Sequence, residues 1–220
     1  YVAGSRNPAH DPVGGTGVYF EPMDLSQATT VSFEFQVFFP TGFNFVQGGK
    51  LPGLVGVASD QSVVASGCSG GNDALTCFST RFMASFRIQG KGEIYLYVDQ
   101  SLQADSFCSI PPFTYCNSDY GASIGRGSFY FATGQWNKVR QVISLNSFQD
   151  DSTPNQDGGV QVYYNDKLAI SYDQVVWREF ENVGFAAIDF ETFFGGSDDS
   201  YDTPVSQYTY FKGLKLEVIN

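Results

Sequence analysis

Lys50, Arg81, Tyr95 and Tyr97 are the residues whose types and spacing could do chemistry in this chain. An ammonium and a guanidinium can neutralise an anion, and Arg grips a carboxylate through two parallel N–H donors. A phenol can act as an acid, or as a base when neighbouring cations lower its pKa, and a lysine whose pKa is depressed can act as a base. Together such groups can hold an acidic ligand and move a proton beside it. Ser79, Arg87 and Lys91 lie in the same stretch, Gln47 to Val98, which carries four of the twelve basic residues of a chain with formal net charge −11. A basic island in an acidic chain is a candidate anion site.

The elements that must position these groups read as two strands. Phe82, Ala84, Phe86 and Ile88 share one parity, while Arg81, Met83, Ser85 and Arg87 share the other. After the turn Gln89-Gly90-Lys91-Gly92, Ile94, Leu96 and Val98 take one parity and Glu93, Tyr95 and Tyr97 the other. Paired as an antiparallel hairpin that buries its apolar side, the two strands carry Arg81, Arg87, Tyr95 and Tyr97 on one opposite face. The same pattern also fits a solvated sheet face with β-favouring tyrosines, and spacing alone does not separate the two. Lys50 lies in Gly-Gly-Lys-Leu-Pro-Gly, which reads as a turn on flexible backbone.

In order along the chain, GGKLPGL, CSGG, CFSTRFM and GKGEIYLYV resemble the motifs GGKLPG, CSGG, CFSxRxMW and GxGExYxY of polysaccharide lyase family 14, the alginate and polyuronate lyases, to which the fungal glucuronan lyases are related. The segment FFGGSDDSYDTPVSQYTYFKGLKLE resembles the family's closing stretch, so the likeness covers about three-quarters of the chain. Ala84 stands where the family pattern has an aromatic residue, and the gap between Arg81 and Tyr95 is slightly longer. The resemblance implies a β-jelly roll of the concanavalin A-like lectin and glucanase type, with one concave sheet face as the site. It further implies functional roles for Lys50, Ser79, Arg81, Tyr95 and Tyr97 in uronate β-elimination. That reaction needs a cation on the C6 carboxylate, a base for the C5 proton and an acid for the departing O4. The reading preferred here gives proton transfer to Tyr95 or Tyr97, and to Lys50 the neutralisation of charge or, alternatively, the role of base. Arg81 supported by Ser79 takes the carboxylate, with Arg87 and Lys91 as further substrate contacts, although residue by residue the bland surface role is the favoured one for the last two.

Composition agrees with a sheet-rich protein: twenty-one Phe and thirteen Tyr in 220 residues, read as one all-β domain spanning 1–220. Val31 to Phe39 alternates most clearly, with Val31, Phe33, Phe35, Val37 and Phe39 inward. Trp136 to Leu145 alternates weakly, and a hairpin turns at Asn165-Asp166-Lys167. Val183 to Phe194 makes one strand or two, and Leu214, Leu216 and Val218 close the chain. Residues 1–17 read as an irregular arm, and Gln100 to Gly127 as a loop forming a lid or cleft wall. Many short strands without a helical stripe or βαβ alternation mean an antiparallel two-sheet sandwich.

Four cysteines fall as two local pairs, Cys68 with Cys77 and Cys108 with Cys116, read as disulfides of a secreted, extracellular protein in processed form. Zinc is disfavoured, because no CxxC spacing exists and His10 is the one histidine. Structural calcium is an open guess at Gly195 to Asp199 with Asp11, Glu34 and Glu217; no cofactor is otherwise required. No apolar run reaches the ~20 residues that span a bilayer. The acidic balance excludes a nucleic-acid partner and suits an acidic polysaccharide only if carboxylates such as Asp150, Asp151, Asp157, Asp198, Asp199 and Asp202 stay in loops away from the cleft. A monomer is expected. Motifs for nucleotide, zincin or serine hydrolase chemistry are missing. Two alternatives remain beside a lyase: a non-catalytic carbohydrate-binding module or lectin, and a glycosidase using Asp189 and Glu191.

Overall fold

The computed structural model describes residues 1–66, 68–69, 74–85, 90–117, 119–150 and 153–219. Its strands are β1 (Thr16–Phe20), β2 (Thr30–Phe38), β3 (Gly48–Ala58), β4 (Cys77–Ser85), β5 (Lys91–Tyr97), β6 (Tyr115–Asn117) and β7 (Gly121–Tyr130). They continue as β8 (Trp136–Ser144), β9 (Phe148–Asp150), β10 (Thr153–Pro154), β11 (Gly158–Tyr164), β12 (Lys167–Val175), β13 (Val183–Phe194) and β14 (Tyr210–Val218). Seven strands form one antiparallel sheet in the order β1-β13-β3-β4-β5-β7-β6, five form a second in the order β12-β11-β8-β2-β14, and β9 pairs with β10.

Alternation explains the packing. On β2, Val31, Phe33, Phe35 and Val37 are fully buried, whereas Glu34 and Gln36 lie on the outer side, where Glu34 pairs with Lys138. The seven-stranded sheet answers with Leu54, Phe82, Ile94, Leu96 and Ile124, and all of these side chains join one core cluster. Phe35 meets Phe82 edge-to-face across the two sheets at 5.6 Å, a favoured aromatic geometry. Asn165 and Asp166 adopt positive φ between β11 and β12, the two-residue hairpin turn expected there.

Two expectations are corrected. Residues 121–127, at the end of the segment read as loop, belong to strand β7, which pairs with β5. Residues 48–53, read as a turn, are the first half of β3 (Gly48–Ala58), a central strand between β13 and β4. Its glycines mark places where neighbouring backbones come too close for a side chain. A Cβ on Gly53 would lie 1.5 Å from the Thr80 carbonyl oxygen. Pro52, which cannot donate to a ladder, sits at the register shift between Leu51 and Gly53.

Candidate active site

Register across the seven-stranded sheet sets the site. Arg81 on β4 is the direct partner of Tyr95 on β5 and of Gly53 on β3. Gly53 in turn opposes Asp189 on β13, which opposes Tyr19 on β1. On the other side Tyr95 opposes Ser123, and Ser123 opposes Tyr115. One row thus crosses all seven strands as Tyr19–Asp189–Gly53–Arg81–Tyr95–Ser123–Tyr115. It lies on the face opposite the core, because Phe82, Ile94 and Leu96 occupy the other parity.

Lys50 joins that face through the irregularity at Pro52. Lys50 opposes Met83 while Gly53 opposes Arg81, so three residues of β3 span two of β4. Under regular alternation, residues three apart such as Lys50 and Gly53 would point to opposite sides; the extra residue at the shift restores them to one. The Lys50 Nζ lies 3.4 Å from the centroid of the Tyr95 ring and donates to Met83 Sδ at 3.2 Å. No ion pair joins it to a carboxylate among the described residues. Burial first, then the Arg81 charge, hold its pKa well below the ordinary lysine value, against the opposing pull of Glu93, Glu191 and Asp189.

Arg81 sits differently from the open cation that the sequence suggests. It is 3% exposed, its Nε donates to Asp189 Oδ2 at 2.6 Å, and its Nη1 lies 3.3 Å from Glu191 Oε2. Gly53, with no side chain, leaves the gap across β3 through which the guanidinium reaches Asp189. Burial opposes the Arg81 charge, but the two carboxylates outweigh it and raise its pKa. Asp189 Oδ1 is buried without a hydrogen-bond donor. The picture of a solvated sheet face is therefore overturned here, since Arg81, Glu93 and Asp189 are all buried.

Glu93, on the same parity as Tyr95, is held by Arg126, which also donates to Ser123. Burial raises the Glu93 pKa despite Arg126. Burial also raises that of Tyr95, with Tyr97 and Glu93 adding to the effect against a smaller opposing pull from Arg81. A phenol near cations was expected to become more acidic. Tyr95 does the reverse and stays protonated, because its desolvation exceeds the help that Arg81 gives. Tyr97 lies beside it, ring to ring at 5.5 Å.

The remaining expected residues fall as follows. Ser79 opposes Tyr97 but is fully buried, and its hydroxyl donates to the Cys68 carbonyl at 2.8 Å, so it ties down the disulfide loop. Lys91 is partly exposed at the start of β5, on the parity of Glu93 and Tyr95. Arg87 lies outside the described residues. Cys68–Cys77 and Cys108–Cys116 are both formed. His10 contacts Arg6, and Arg6 also binds Asp199 and Asp202. Asp198 caps Ser200, and Glu217 pairs with Lys215. The carboxylates weighed for calcium are thus dispersed, and no group of three or more potential ligands converges among the described residues.

Asp157, Asp198 and Asp202 do lie in loops and Asp199 in a short 3-10 turn, whereas Asp150 ends strand β9, Asp151 lies outside the described residues, and Glu93, Asp189 and Glu191 stand in the site itself. Asp189 and Glu191, weighed above only as hydrolase acids, are the counter-ions of Arg81. Their period-2 spacing on one strand was the available signal.

A sequence profile described as Polysaccharide lyase 14 matches residues 1–214. The chain belongs to polysaccharide lyase family 14. Among its relatives, Exolysin of Paramecium bursaria Chlorella virus 1 is 26% identical over 198 residues; that alignment covers 83% of this lyase-family chain and only 28% of Exolysin. The chain therefore spans little more than a quarter of that relative's length. The crystal structure of a marine family 14 alginate lyase from Aplysia kurodai superposes with a TM-score of 0.81 at 29% identity, covering all of this chain and 81% of that one. An alginate lyase from Chlorella virus shares the fold, with a TM-score of 0.79 at 23% identity, covering all of this chain and 83% of that one. The jelly-roll architecture of the family is thus the architecture of this chain.

Proposed function

We propose that this family 14 protein cleaves a polyuronate by β-elimination, with alginate as substrate and glucuronan as the alternative polymer. The observation that carries the reading is the Lys50 amine, which lies against Tyr95 and Met83 without a carboxylate ion pair among the described residues and has its pKa pushed down by burial. Such an amine is neutral at a lower pH than a surface lysine and can accept the C5 proton. Tyr95, beside it and held protonated, is suited to donate a proton to the departing O4. This division of labour keeps proton transfer at Tyr95 and takes up the alternative in which Lys50 is the base, since the same burial that disarms Tyr95 as a base arms Lys50. Arg81 supplies the charge for the C6 carboxylate. The likeness to the Aplysia kurodai alginate lyase supports alginate. Two disulfides suit an oxidising compartment, and we place the protein outside the cell.

The test is to mix the protein separately with polymannuronate, polyguluronate and glucuronan and to follow ultraviolet absorbance of the unsaturated uronate product. Growth of that absorbance on one or more polymers is expected. Saturable binding of the polymers with no absorbance would replace the lyase by a lectin of the same fold.

A further inference from the structure

Arg81 poses a problem for any reading in which it meets the substrate. Its side chain is 4% exposed, and Asp189 and Glu191 already compensate its charge. The two carboxylates are not equivalent. Asp189 is wholly buried and close, at 2.6 Å from Nε. Glu191 is 23% exposed at its side chain and more distant, at 3.3 Å from Nη1. Glu191 is thus the counter-ion that solvent, and a polymer lying on the sheet, can reach. A uronate carboxylate approaching Arg81 from the open side finds another carboxylate in place. Both cannot stay ionised on one guanidinium whose remaining charge is balanced by Asp189, because like charges a few ångströms apart in a dry site repel strongly.

We propose that Glu191 is a resident carboxylate occupying the seat of the substrate's carboxylate on Arg81, and that the polymer enters by displacing it as the protonated acid. This rests on the function proposed above. In the exchange one carboxylate arrives with its negative charge and one proton is taken from solvent by Glu191, so the charge around Arg81 is unchanged. Glu191 thereby selects for the pH at which the enzyme can load an acidic sugar. It also accounts for how a site with three carboxylates serves a polyanion.

The surroundings of Glu191 support this. Arg81 on β4, Asp189 on its own strand, Lys50 on β3 and Tyr19 on β1 are the charged and titratable groups that face it. Burial and Asp189 raise its pKa, while Arg81 and Lys50 pull the other way. Displacement from Arg81 removes the largest of those opposing pulls and makes protonation easier still.

The experiment measures KM and kcat for the preferred polyuronate from pH 5 to pH 9 at fixed ionic strength, for wild type and for Glu191→Gln. In wild type, KM is expected to rise up to about tenfold per pH unit above the Glu191 pKa, the slope of a single coupled proton. In Glu191→Gln, KM should be lower at pH 8 by about tenfold or more, and the slope should vanish, while a merely structural role would lower kcat and thermal stability together. Isothermal titration of wild type with an oligouronate in buffers of different ionisation enthalpy should show uptake of a proton. A KM slope that survives in Glu191→Gln belongs to Lys50 and overturns the assignment, as does a KM that is flat in wild type. Should Glu191→Gln fail to fold, Glu191→Ala and the wild-type proton uptake decide, and zero uptake overturns the proposal. Absence of turnover on every polyuronate removes the lyase reading, and this proposal with it; turnover with an unchanged KM removes the Glu191 exchange alone.

Discussion

Asp189→Ala is expected to cost the fold more than any surface substitution, and the size of the loss follows from the geometry. Asp189 is 0% exposed and its partner Arg81 only 4% at the side chain, with 2.6 Å between the charged atoms. Removing one member of such a pair leaves a buried charge uncompensated, at a cost of about 3–5 kcal/mol. Glu191 stays near Nη1, so the lower end, about 3 kcal/mol, applies here. In a domain of this size each kcal/mol moves Tm by about 2–4 °C, so a fall of roughly 6–12 °C is expected. Replacing both partners, as Arg81→Met with Asp189→Leu, should recover most of that loss, because an apolar pair of similar volume avoids desolvating two charges. Calorimetric unfolding at pH 7 of wild type, Asp189→Ala, Arg81→Met, Asp189→Leu and the Arg81→Met/Asp189→Leu double variant gives the single loss and closes the cycle. A loss below about 1 kcal/mol, the value of an exposed pair, or single losses that simply add, would refute the reasoning.

Four other outcomes are expected. Tyr95→Phe keeps the fold and lowers kcat by about 10²–10⁴-fold, and the wild-type pH profile of kcat rises through the lowered Lys50 pKa and falls only above the ordinary phenol range; a falling limb of kcat near neutrality that persists in Tyr95→Phe would contradict this. Lys50→Met abolishes turnover yet raises Tm at pH 7, because a lysine with a lowered folded pKa makes the unfolded chain bind more protons, so its cost is present at neutral pH and fades as pH climbs toward the ordinary lysine value. Gly53→Ala places a Cβ on the Thr80 backbone and should lose about 3 kcal/mol together with the Arg81 geometry, read by denaturant unfolding and turnover. Replacing Cys68 and Cys77 by Ser should cost about 2–4 kcal/mol and reduce turnover below the unfolding temperature, since Ser79 is tied to the Cys68 carbonyl.

The cation and phenol strands were legible because their information is local. Arg81, Met83 and Ser79 alternate with Phe82 and Ala84, and Tyr95 and Tyr97 alternate with Ile94 and Leu96, so burial of one side dictates the other. Lys50 was recognisable by motif but not by position. Its strand reads as a turn because Gly49, Gly53 and Pro52 are the residues that punctuate loops, whereas here they serve close strand approach and a register shift. Asp189 stayed hidden for a different reason. It lies 108 residues from Arg81 in the chain and meets it by reaching across an intervening strand, a contact that only the strand order specifies. The same absence of strand order concealed that Asp189 and Glu191 join Glu93 in the site, where Arg81 and Arg126 pair with the three carboxylates.

The measurement that bears most directly on the central claim, a lysine base beside a tyrosine acid, is turnover of Lys50→Arg. Arginine keeps the positive charge but cannot give up its proton at accessible pH, so it separates a base from a charge stabiliser. With folding confirmed by unchanged circular dichroism and measurable binding of an oligouronate, kcat is expected to fall by about 10²-fold or more. Turnover within a few-fold of wild type would contradict the account and return the proton transfers to Tyr95 and Tyr97.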